Sequence, residues 1–99
     1  MTLIGARAKF CAAHKMPQHP ELHGHSYEVW AYTDEWDDAE AWQRFIQNKC
    51  NDKLDHRTLS EHLSKMEDIA GYLGRMLNAK KVIVSRPVEG LSAEFTADD

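Results

Sequence analysis

The stretch from His14 to His25 reads His-Lys-Met-Pro-Gln-His-Pro-Glu-Leu-His-Gly-His, with four histidines and one glutamate in twelve residues. His23 and His25 are spaced i, i+2 about a glycine. On a β-strand such a pair points to one face, because strand side chains alternate with a period of two. A third imidazole from a neighbouring strand completes an open site, and His14, which ends the preceding strand-like run, is the obvious donor. Three histidines with a free coordination position are the pattern of catalytic rather than structural zinc. The spacing thus predicts a Zn2+ site on His14, His23 and His25. Ligation needs neutral imidazole, so metal uptake should weaken in acid.

Two strands have to carry these ligands. In residues 3–14, Arg7 and Lys9 alternate with Ala6, Ala8 and Phe10, so Phe10, Ala12 and His14 share a face. Residues 22–34 are rich in aromatic and β-branched types, and the parity His23, His25, Tyr27, Val29 defines one face. Antiparallel pairing of the two brings His14 to the other histidines. Pro17 and Pro20 predict a loop over residues 15–21.

Asp37 or Asp38 is suited to cap a helix over residues 39–51, whose Trp42, Phe45 and Ile46 form a core-facing stripe continued by Cys50. Residues 53–59 read as a polar connection pinned by Leu54 and Leu59. Ser64 and Glu67 have capping-box spacing for a second helix, with Ile69, Leu73 and Met76 facing the core and Asn78 closing it. Gly71 and Gly74 lower that helix's intrinsic propensity, so it must lean on tertiary packing. Lys81–Arg86 is the third strand, Glu89-Gly90 a turn, and residues 91–96 a short fourth strand. The predicted class is α+β, in the order β-β-α-α-β-β, with a four-stranded antiparallel sheet and two helices on one face. Trp30, Trp36 and Trp42 are expected in the core or an interface, and His62 on the surface.

At 99 residues the chain is a single domain, 1–99, small enough to need support from a metal or from oligomerisation. Open sheet edges also point to a homo-oligomer. The net charge is −4 and the longest basic run is Lys80-Lys81, which argues against nucleic-acid or membrane-surface partners. No segment approaches the ~20 apolar residues of a membrane span. Cys11 and Cys50 lie far apart, outside any CxxC arrangement, and read as thiols of a cytoplasmic protein.

Phe10-Cys11-Ala12-Ala13-His14, Leu22-His23-Gly24-His25-Ser26-Tyr27 and Leu54-Asp55-His56-Arg57-Thr58-Leu59 occur in that order along nearly the whole chain. As a set they resemble the 6-pyruvoyl-tetrahydropterin synthase and 6-carboxy-tetrahydropterin synthase family. The resemblance implies a tunnelling fold (T-fold), whose subunit sheets join into a barrel, commonly as a hexamer of two trimers. It implies zinc on His14, His23 and His25 and an acid/base dyad of Asp55 and His56. It also implies a lyase acting on dihydroneopterin triphosphate or a related pterin.

The chain departs from the family pattern at three places. The family's catalytic cysteine, four residues before the His-Gly-His, is replaced by His19, which leaves His19 or Glu21 as the candidate base. The usual P-T-x-E-N reads Ser64-Lys65-Met66-Glu67-Asp68, and the E-T whose glutamate anchors the pterin reads Arg86-Pro87. A guanidinium only donates hydrogen bonds and cannot replace a carboxylate acceptor. Glu89 or Glu94 can substitute only if the loop has shifted. Lys65 and Arg86 together would favour an anionic ligand. The alternatives are then a zinc-binding T-fold homologue with a different small anionic substrate, or one without turnover.

Overall fold

The computed structural model describes residues 2–16 and 18–98, and the side chains of His19 and Pro20 lie outside the described residues. The elements in chain order are β1 (Ile4–Met16), β2 (His19–Thr33), α1 (Ala39–Lys53), β3 (Arg57–Thr58), a 3-10 turn (Glu61–Leu63), α2 (Met66–Leu77), β4 (Lys81–Arg86) and β5 (Leu91–Thr96). The sheet order is β3-β1-β2-β4-β5. The class is α+β as expected, but the sheet has five strands rather than four, and it is not wholly antiparallel. Arg57 and Thr58 pair in parallel with Ala12 and Ala13. A two-residue strand has no alternation to detect, which is why this segment reads as a plain connection in the sequence.

β1 and β2 form the spine of the molecule. Their antiparallel register pairs Ala6 with Ala31, Ala8 with Val29, Phe10 with Tyr27, Ala12 with His25 and His14 with His23. The alanines keep the inner face of β1 low, so aromatic and helical side chains fill the space above it. Phe10 stacks on Tyr27 with ring centroids 4.8 Å apart. Trp42, Ile46 and Cys50 from α1 and Ile69, Leu73 and Leu77 from α2 join these strand residues in one buried cluster with Val82 and Val84. The Trp42 indole N–H donates to the Ala31 carbonyl at 3.0 Å, so this fully buried ring leaves no polar atom unsatisfied. Trp36 packs against the cluster, whereas Trp30 lies on the opposite sheet face and is an exposed large apolar residue.

The proline-based loop over residues 15–21 is shorter than expected: the strands run to Met16 and resume at His19, with a register irregularity between His14 and Met16. Asp38 caps α1 by accepting from the Glu40 and Ala41 N–H groups. The Ser64 capping box does not form. The N-cap of α2 is Lys65, without a side-chain cap, and the Ser64 hydroxyl donates instead to the Glu61 carbonyl across the 3-10 turn. That turn consumes the local polar group before the helix begins. Asn78 closes α2 in the left-handed conformation, its N–H shared between the Arg75 and Gly74 carbonyls.

The outer edge of β1 is occupied by side chains. Gln43 donates to the Arg7 carbonyl, and Gln47 both accepts from the Lys9 N–H and donates to the Lys9 carbonyl. Asp55 accepts from the Cys11 N–H, while the His56 and Leu59 N–H groups reach the Cys11 and Ala13 carbonyls. These contacts satisfy edge groups of β1 from Arg7 to Ala13 within the chain. No helix among the described residues is long and apolar enough to cross a membrane. Cys11 and Cys50 are both free thiols; burial, aided by the Asp55 charge, pushes the Cys50 thiol up to about 12 and keeps it inert.

Gly74 faces Phe95 of β5 so closely that any Cβ would overlap the ring. The helix gives up propensity there to let a strand pack against its backbone. Gly74→Ala should therefore destabilise the fold by about 1–3 kcal/mol, overpacking outweighing a helix-propensity gain of about 1 kcal/mol. A urea midpoint equal to or above wild type would refute this packing account.

Candidate metal centre

The inner face of the β1–β2 hairpin carries the apolar core along most of its length and three imidazoles at its end. Cross-strand pairing sets His14 opposite His23, and the pair Ala12–His25 places His25 on the diagonal. His14 is only 3% exposed. Its Nε2 lies 2.9 Å from His23 Nε2 and 3.1 Å from His25 Nε2. The three ligand atoms all lie within 4.8 Å of one another. Tetrahedral coordination with metal–nitrogen bonds of ~2.05 Å needs separations of roughly 3.3 Å, so the two shorter edges are near that geometry.

Each ring's other nitrogen faces an oxygen. His14 Nδ1 donates to the Ser64 carbonyl at 2.5 Å, His23 Nδ1 to the Glu21 carbonyl at 3.0 Å, and His25 Nδ1 to Glu89 Oε1 at 2.8 Å. A neutral imidazole has one N–H, and in all three rings the hydrogen-bond network assigns it to Nδ1. All three Nε2 atoms then turn lone pairs toward one another, and that of His25 also accepts from Arg86 Nη1 at 3.4 Å. Lone pairs about 3 Å apart are brought together favourably by a shared proton or a cation. The proton is disfavoured. Burial is the main influence holding the His14 imidazole below its ordinary value, and His23 and Arg86 add to this against the pull of the Ser64 carbonyl. Burial, then the Arg86 guanidinium, lower His25 in the same way, with Glu89 opposing. Three imidazoles whose Nδ1 atoms are held by acceptors and whose Nε2 atoms converge fit a divalent transition metal.

The histidines open onto a cavity of about 870 Å³, whose wall includes Glu21, Ser64, Lys65, Glu67 and Arg86. Glu21, one of the two candidate bases, thus shares the histidines' cavity. The His19 side chain, the other candidate, falls outside the described residues. Glu89, considered above as a replacement acceptor for the pterin, is engaged by His25 and lies 3.5 Å from Arg86 Nε. Glu94 is not at this site; it pairs with Lys81 at 3.6 Å.

Asp55 and His56 do contact each other, Oδ2 to Nδ1 at 2.8 Å. The Cys11 N–H holds the Asp55 carboxyl below the usual carboxylate range, with His56 adding to the effect against some desolvation. His56 occupies the left-handed region at φ 58°, which turns the chain tightly back toward β1. Its side chain is 83% exposed. It lines a second, shallower depression with Cys11, Gly24, His25 and Ser26. The dyad exists, but His25 is the residue that borders both hollows, and among the described residues the wall of the larger one does not include the dyad.

Sequence reasoning missed the three acceptors that orient the imidazoles. Two are backbone carbonyls, which carry no residue-type signal. The third, Glu89, is 64 positions from His25, a separation that no local spacing signals.

No family model matches the chain, and no curated protein matches it. Among solved structures, it is similar to the crystal structure of an uncharacterized protein from Wolinella succinogenes, with a TM-score of 0.73 and 14% identity over 98% of each chain. That likeness concerns the fold.

The geometry makes metal uptake pH-dependent in a defined direction. Protons compete with the metal only below the ligands' own pKa values, and burial has lowered two of these. Affinity for a divalent metal, measured against a competing chelator, should hold as pH falls to the free-imidazole value of ~6.5 and decline below it. Glu89→Gln should weaken the affinity about tenfold to a hundredfold. An unchanged affinity in that variant would remove Glu89 from the metal's support.

Proposed function

We propose that the chain is a zinc-dependent lyase of the 6-pyruvoyl/6-carboxy-tetrahydropterin synthase type, built on a T-fold and acting on a pterin or related triphosphate. The observation that carries this reading is the convergence of His14, His23 and His25 Nε2 at the mouth of a cavity, with every Nδ1 held by an acceptor. The sequence motifs supply the family, and the α+β architecture is compatible with it.

Zinc held by the three histidines would supply Lewis-acid polarisation of substrate oxygens. The chain's own residues would do the rest. Ser64, Glu21 and Glu89 keep the imidazoles in the ligating tautomer and orientation. Glu21 borders the cavity and is placed to accept a proton from bound substrate, in the part assigned to it or to His19. Asp55 holds the His56 proton on Nδ1 and leaves Nε2 free to exchange one. Because His56 opens onto the other hollow, its relay requires substrate that reaches past His25 or a neighbouring copy of the chain. A trimer-based homo-oligomer, commonly a hexamer in the family, would provide such copies.

A second reading is a zinc-binding T-fold homologue with a different small anionic substrate, or one that binds without turnover. The observation favouring it is Arg86. Its Nη1 sits 3.4 Å from His25 Nε2, in the sequence position where the family carries its pterin-anchoring glutamate.

Incubation of the zinc-loaded chain with dihydroneopterin triphosphate, followed by product analysis, separates the two. Under the first reading a dephosphorylated or side-chain-shortened pterin forms, and Glu21→Gln or His19→Gln lowers the rate by ~10²–10⁴-fold at constant zinc content. Intact zinc binding with no pterin product transfers the assignment to the second reading. Wild-type rates in both variants would dismiss both candidate bases.

A further inference from the structure

Arg86 occupies an unusual place for a cation. It ends β4, and its side chain is 18% exposed. Its Nη1 donates to His25 Nε2 at 3.4 Å, the ring nitrogen that would face a metal, so metal binding there would displace this donor. A metal bound at ~2.0–2.1 Å from that nitrogen would lie within roughly 5.5 Å of the guanidinium. Two cations so close, in a partly buried wall, repel strongly. Glu89 does not cancel this repulsion alone. Its Oε1 already accepts from His25 Nδ1, and it lies 3.5 Å from Arg86 Nε without making a hydrogen bond. Arg86 Nε is buried and, among the described residues, has no hydrogen-bond partner.

The remaining charges of the cavity are Lys65, Glu21 and Glu67. Counting Glu89, three carboxylates face the two cations Arg86 and Lys65 among the described residues, so a divalent ion still leaves the cluster with one net positive charge. The uncapped start of α2, at Lys65 to Glu67, lies in the same wall and adds the positive end of a helix dipole. A metal, a guanidinium and a helix start on one cavity are mutually compatible if an anion lies among them.

Resting on the metal reading above, we infer that Arg86 is an anion-binding residue of this site, and that the metal's open position takes a small oxyanion, carboxylate or phosphate, shared with the guanidinium. Arginine suits that role because its planar donors can hold two oxygens of one carboxylate or phosphate. The inference makes metal and anion binding cooperative, each removing the electrostatic obstacle to the other.

The test uses the full chain loaded with Co2+ in perchlorate buffer, whose anion coordinates poorly. Acetate and inorganic phosphate are titrated separately while the visible d–d absorption of bound cobalt is followed. For wild type, at least one of the two anions should shift the spectrum saturably and tighten cobalt binding, and the one that does so identifies the class. Arg86→Met should bind that anion at least about tenfold more weakly, the loss expected for one charge-assisted pair, while retaining cobalt in perchlorate. Arg86→Lys should fall between the two, and it decides the matter if the Met variant does not fold. Equal anion affinity in wild type and both variants, or no response of wild type to either anion, overturns the inference while leaving the metal site standing. Failure of wild type to take up cobalt in any buffer overturns the metal reading itself.

Discussion

The histidine site depends on the register of β1 against β2. With Ala12 opposite His25 and His14 opposite His23, the imidazoles fall on the face that also carries Phe10, Tyr27, Ala8 and Val29. A slip of one residue would send the apolar set to solvent and turn the inner-face side chains outward. The core and the site thus enforce the same alignment. Packing α1 onto the alanine-rich half of β1, while α2 covers β4 and β5, selects the register, and the selected register brings three nitrogens together at the other end. The small side chains of Ala6, Ala8 and Ala12 matter here because they leave room for Trp42 and its neighbours without bending the sheet away.

What was legible in the sequence follows from periodicity. Alternation in β1 and β2 put His14, His23 and His25 on one face, and the Trp42–Ile46–Cys50 stripe marked the buried side of α1. What was hidden has no periodicity. β3 is two residues long and is defined by what Ala12 and Ala13 offer on their free side. Ser64 looked like a cap because its spacing to Glu67 was right, but a 3-10 turn upstream claimed its hydroxyl, and its carbonyl became the acceptor for His14. The Asp55–His56 contact was legible as neighbours in sequence. Its position beside Cys11, bordering a hollow other than the main cavity, was a tertiary fact.

The electrostatic arrangement around His25 sets two opposite charges on one ring. On one side a carboxylate, Glu89, fixes the ring; on the other a guanidinium, Arg86, crowds its ligating nitrogen. The same turn, Pro87 to Gly90, supplies the spacing between these two charges, with Gly90 at φ 73° completing it. The carboxylate of this corner serves the protein's own imidazole, and its guanidinium is a donor.

The hydrogen bonds of His14 and His25 close long stretches of chain. His14 reaches Ser64 across 50 positions, and His25 reaches Glu89 across 64. The hairpin that carries the ligands is local and can form early, whereas its acceptors arrive only when the 3-10 turn and the β4–β5 turn have docked. Contacts of such separation carry their loop-closure entropy late in folding. The ligating tautomer is therefore a property of the finished molecule, and the unfolded or half-folded chain offers a metal only mobile histidines. In kinetic terms the site is self-proofreading: a correctly oriented triad certifies that both ends of the sequence have reached their places.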